Sequence, residues 1–146
     1  MKPCSRCAKC CITHPCALAP NDLGKIADHF GLSKRELFMR FLVLDYVEVS
    51  GDRLYFVCPA RKNDQAGVIV NSDWTFSDSP CVFLAGNECS IEDVKPEGGR
   101  RFCCSLMTRS NRNFIGYSKM KSASDWSKSH LVNNLSEYIS PTRHVR

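Results

Sequence analysis

Residues 33–57 read SKRELFMRFLVLDYVEVSGDRLYFV, and within them a helical pattern gives way to an extended one. Ser33-Lys34-Arg35-Glu36 has the form of a capping box, in which the serine side chain accepts from the amide three residues on and the glutamate reaches back. Leu37, Phe38, Phe41 and Leu42 follow as a buried stripe, which predicts a helix of about two turns. From Val43 the pattern changes. Tyr46-Val47-Glu48-Val49 and Leu54-Tyr55-Phe56-Val57 flank Ser50-Gly51-Asp52-Arg53, which predicts a β-hairpin turning at Gly51-Asp52. A helix running into a hairpin assigns the chain to the α+β class.

Working outward, Pro20-Asn21-Asp22 opens an earlier helix, with Asn21 or Asp22 available as its cap and Leu23, Ile26, Ala27 and Phe30 along one face. Gly31 ends it. Residues 59–67 read as a polar loop, and Val68-Ile69-Val70 and Trp74-Thr75-Phe76 as short strands. Cys81-Val82-Phe83-Leu84 and Cys89-Ser90-Ile91 bracket a second tight turn, Ala85-Gly86-Asn87-Glu88, which would bring the two cysteines near each other. Lys95 to Arg101 is a Pro/Gly loop leading into Phe102-Cys103-Cys104. Residues 108–124, rich in Ser, Asn, Lys and Arg, are expected to form a mobile surface segment. A last amphipathic helix is expected from Ser124 to Ile139, with Trp126, Leu131, Leu135, Tyr138 and Ile139 facing inward and Pro141 stopping it. No repeat or internal boundary divides residues 1–146, so a small single domain of short helices and β-hairpins is expected.

The unusual quantity is cysteine: ten in 146 residues, most of them in tight local clusters. No run approaches the roughly 18 apolar residues of a membrane span. Met1-Lys2-Pro3-Cys4 is not followed by an apolar stretch, so no export signal and a cytoplasmic location are expected. In that reducing compartment thiols persist, and metal binding explains the cysteines better than a disulfide framework does. The formal charge of +5 is weak evidence for nucleic acid. A four-thiolate zinc or four-iron site carries about −2, so two such sites would offset most of it. Lys119, Lys121, Lys128, Arg143 and Arg146 read as a solvated basic surface. There is no phosphate-cradling glycine motif, nucleophile elbow or zinc-protease helix, and His29, His130 and His144 are isolated.

Cys4-x₂-Cys7-x₂-Cys10-Cys11, with Cys16 nearby, is the strongest local signal. Two intervening residues let a turn aim neighbouring thiolates at one metal while backbone amides hydrogen-bond the sulfurs. Cys4, Cys7 and Cys10 fit the first three positions of the bacterial ferredoxin run Cys-x₂-Cys-x₂-Cys-x₃-Cys-Pro, and His14-Pro15 stands where the final Cys-Pro would be. Three thiolates on a [4Fe–4S] cluster, completed by a remote cysteine, therefore fit. Zinc is the alternative, since ten cysteines can close two tetrahedral sites. The radical-SAM spacing Cys-x₃-Cys-x₂-Cys is not met: Cys7 and Cys11 give the first interval, but position 14 is His14.

The run Cys4-Ser5-Arg6-Cys7-Ala8-Lys9-Cys10-Cys11, together with Cys81-Val82-Phe83-Leu84, Cys89-Ser90-Ile91, Pro96, Arg100 and Phe102, resembles the YkgJ-type cysteine-cluster family, a zinc- or iron-chelating domain. The resemblance covers roughly residues 1–30 and 75–104. It implies a metal held by Cys4, Cys7, Cys10, Cys11, Cys81 and Cys89. The family commonly has a cysteine directly before the arginine that matches Arg100, whereas this chain has Gly99; Cys103 or Cys104 would supply that ligand. Cys58 and Cys16 fall outside the motif. A shared metal would staple two segments far apart in sequence, so that binding becomes part of folding.

The expected function is therefore that of a cysteine-rich metal-binding protein, holding an iron–sulfur cluster with a structural or redox role. Two alternatives stand beside it. One is a zinc module in protein or nucleic-acid interaction. The other is a cluster-dependent enzyme, because some larger proteins with this cysteine domain resemble flagellin lysine methylases. The expected partner is a metal ion or cluster, with neither nucleic acid nor membrane.

Overall fold

The computed structural model describes residues 17–70, 80–96, 120–121, 123–128 and 144–145. Helix α1 (Pro20–Phe30) starts with proline in its first turn, where the missing amide costs nothing. The cap is Ala19, not Asn21 or Asp22 as the sequence suggested. Asp22 instead occupies the third helical position, and its Oδ2 accepts from the Ala19 amide at 2.7 Å. Alanine offers no side-chain acceptor, so only this returning half of a capping box is made; the Asp22 amide donates to the Ala19 carbonyl at 3.0 Å. At the other end Gly31 is left-handed, its amide donates to the Asp28 carbonyl, and the Leu32 amide donates to that of Ala27. Those are the two bonds of a Schellman stop.

Helix α2 (Lys34–Phe41) has the expected box: Ser33 Oγ accepts from the Glu36 amide at 3.1 Å, and Glu36 Oε1 accepts from the Ser33 amide at 3.3 Å. Leu37 and Phe38 are fully buried. The helix passes without a loop into β1 (Leu42–Val49), which pairs antiparallel with β2 (Asp52–Pro59) in the register Val49↔Asp52 through Leu42↔Pro59. The turn is Ser50-Gly51, one residue earlier than the sequence suggested, with φ of +52° and +85°. Two positive φ values give the loop the twist that a two-residue hairpin requires.

The remaining sheet is not built from hairpins. Strand β3 (Ile69–Val70) lies parallel to β1, and the backbone at His144–Val145, forming β6, lies parallel to β3, so the order is β2-β1-β3-β6. A separate small hairpin joins β4 (Leu84–Ala85) to β5 (Glu88–Cys89), with Gly86 at φ +64° opening its two-residue turn. A 3₁₀ turn at Glu92–Val94 follows. Backbone at Met120 and Lys121 and at 123–127 is helical, earlier than the expected start at Ser124, and the chain turns at Lys128. The main core joins Leu23 and Ile26 of α1, Leu37 and Phe38 of α2, Leu44, Phe56 and Val57 of the sheet, Phe83, Ile91 and Trp126. A smaller cluster of Val43, Ala60 and Val68 covers the opposite face of β1. The chain is thus a small α+β domain. The expected strand at Trp74-Thr75-Phe76, residues 108–119 and the stretch 129–139 lie outside the described residues. No helix among the described residues is long and apolar enough to cross a membrane.

Candidate metal centre

Three of the ten cysteines, Cys58, Cys81 and Cys89, lie within the described residues, and all three are thiols rather than disulfides. Cys89 closes the small hairpin and faces Leu84 across it. Cys81 stands just before that hairpin, where its carbonyl accepts from the Leu84 amide at 3.0 Å and tightens the chain. The two cysteines therefore flank one compact turn. Phe83, between them in sequence and 2% exposed, fixes this turn to the helices. Its ring stacks on Phe30 of α1 at 5.9 Å and lies against Phe41 of α2 at 5.7 Å. Cys81 is buried, Cys89 and Cys58 are partly buried, and all three pack in the main apolar cluster.

The end of β2 gathers two segments. On one side, Leu18 forms an isolated antiparallel bridge with Val57, its amide donating to the Val57 carbonyl at 2.8 Å. On the other, just past the strand, Arg61 bridges Cys81, and the Val82 amide donates to the Ala60 carbonyl at 2.9 Å. Cys58 stands between these attachments, opposite Val43 in the sheet. Leu18 is held a second time: its carbonyl accepts from Trp126 Nε1 at 2.7 Å, across 108 residues of sequence. The chain leaving the cysteine-rich run and the chain carrying Cys81 and Cys89 are thus both secured to the Val57–Arg61 stretch.

Thiolates are soft ligands that suit zinc and iron–sulfur clusters alike, and the apolar surroundings of Phe83, Leu84 and Ile91 supply a dry shell of the kind that tunes such a site. The donor chemistry fits either group. Among the described residues no three His, Cys, Asp or Glu side chains converge, so Cys58, Cys81 and Cys89 do not by themselves make a site. Cys4, Cys7, Cys10, Cys11, Cys16, Cys103, Cys104 and His14 lie outside the described residues, as do Gly99 and Arg100. His29 sits at the end of α1 with its ring edge-on to Phe30 at 5.1 Å. Of the basic residues near the C-terminus, Lys121 makes an ion pair with Asp125 at 2.9 Å. The sequence reading left the position of Cys58 unassigned and missed the tie from Leu18 to Trp126. The available signal was the indole itself, whose buried N–H requires an acceptor.

No curated protein and no solved structure matches the chain. A family does: residues 3–130 match the CxxCxxCC family, described as "Putative zinc- or iron-chelating domain". The match joins the N-terminal cysteine run to the turn that carries Cys81 and Cys89 and extends through the helix of Trp126. The chain belongs to the CxxCxxCC family of zinc- or iron-chelating domains.

Proposed function

We propose that the chain holds a four-iron iron–sulfur cluster by thiolates from two segments. The first offers Cys4, Cys7 and Cys10 or Cys11; the second offers Cys81, Cys89 and one of Cys103 and Cys104; the cluster takes four of these six thiols. The observation that carries the reading is the common attachment of both segments to the end of β2, by Leu18 to Val57 and by Val82 to Ala60. That arrangement shortens the chain each segment must cross to share a ligand set, which lowers the closure entropy of a long loop. The three regularly spaced cysteines, in the ferredoxin interval, favour the cluster over zinc.

When bound, the cluster supplies either a structural cross-link or a one-electron redox centre. The protein's own contribution is to hold the sulfurs reduced, orient them and keep water away. This suits a single domain working in the reducing cytoplasm. Anaerobic purification with elemental analysis and an absorbance spectrum tests it. The cluster gives iron, acid-labile sulfide and a broad band at about 400 nm. A colourless protein containing zinc overturns the cluster and keeps chelation; a folded protein free of both metals overturns the whole reading. Replacing Cys7 or Cys89 by serine is expected to reduce bound metal, whereas Cys58→Ser leaves its amount unchanged if the family's motif alone supplies the ligands.

A further inference from the structure

We propose that Trp126 is a positioning residue for the metal, acting through Leu18; this rests on the metal-binding reading above. Leu18 is fully buried and both its backbone groups are engaged, the amide with Val57 and the carbonyl with the Trp126 indole. It stands two residues after Cys16 and seven after Cys11, so it is the first described anchor behind the cysteine run. Trp126 is also fully buried, and its indole N–H has no solvent to turn to if Leu18 leaves. The bond at 2.7 Å therefore joins the root of the cysteine run to the helix that follows Met120.

Anything that holds Leu18 in place narrows the space the preceding thiols sample, and this is a gain in preorganisation. If Leu18 detaches, the next firm anchor is α1 with Leu23, so the tether behind Cys11 lengthens from seven to twelve residues. Loop entropy alone then weakens binding by about twofold. Loss of the hydrogen bond to the indole raises the effect to about fivefold to tenfold. Linkage is reciprocal: a metal that holds the cysteine run must also hold the indole in its buried place.

The test uses the full chain, loaded with whichever metal it carries as purified, with chelator competition read by elemental analysis. Trp126→Phe, and replacement of Trp126 by benzothienylalanine, which keeps the indole's shape and lacks its N–H, are both expected to lower affinity about fivefold to tenfold. Circular dichroism should stay unchanged. In a Trp74→Phe background, where Trp126 is the single tryptophan, stripping the metal is expected to red-shift its emission and increase acrylamide quenching; a role confined to packing would leave both unmoved. Equal affinity in the benzothienylalanine protein, or an indole indifferent to metal removal, overturns the coupling. A wild-type protein that carries no metal overturns instead the reading on which the coupling rests.

Discussion

Gly67 shows how little room the fold leaves around α2. It sits at φ +73°, its amide donates to the Leu42 carbonyl at 2.7 Å, and a methyl group placed on it would lie 3.1 Å from both Cα and Sδ of Met39. Gly67→Ala thus meets a backbone penalty and a steric one together. It should destabilise the protein by about 2 kcal/mol, measured by urea unfolding. Met39→Ala in the same chain should recover part of the loss, because the sulfur can be removed while the helix backbone cannot; strict additivity of the two changes would contradict the contact. At this scale the sequence was legible wherever a side chain carries its own instruction, as in Ser33 and Glu36. It misled at the turn, because Gly51-Asp52 is the stronger turn dipeptide, whereas the register actually adopted asks Ser50 to take a left-handed conformation. A serine at φ +52° leaves no mark in composition.

Among the elements, the small β4–β5 hairpin depends most on its neighbours. Two strands of two residues do not stand alone in water, and Phe83 is what gives this one a place, stacked on Phe30 and Phe41. Phe83→Ala should cost about 3–5 kcal/mol in thermal or chemical unfolding. If Cys81 and Cys89 bind metal, it should also weaken metal retention without removing any sulfur. Unchanged stability would mean that the aromatic stack does not fix the turn. Both helices and the long hairpin could be read from the chain because their signals are local: capping, period and turn. The parallel pairs could not. Strands β3 and β6 are two residues each, too short for a period, and their partners are set by contacts distant in sequence.

Across the whole molecule, metal and fold should share one stability. Ligand binding to the native state adds RT ln(1 + [L]/Kd) to unfolding free energy, so stripping the metal with a competing chelator should lower the melting temperature, which should depend on metal concentration. Thiolates bind metal only when deprotonated, so protons compete with the metal: retention and the stability that comes with it should fall as pH falls. A titration of bound metal against pH checks the sign, and release on raising rather than lowering pH would contradict thiolate ligation. The two cysteine-bearing segments were legible in the sequence as clusters of closely spaced cysteines. Their attachment to the end of β2 was not, since it rests on backbone bonds at Leu18, Val57, Ala60 and Val82 that no side chain announces. The tie between Leu18 and Trp126 and the pairing of Ile69 with His144 also order events in time. During translation the long hairpin can close as soon as it leaves the ribosome, whereas these two links wait for the last part of the chain. The nascent thiols accordingly emerge long before their scaffold is locked, so the window in which oxidants or stray metals can reach them is set by the pace of synthesis.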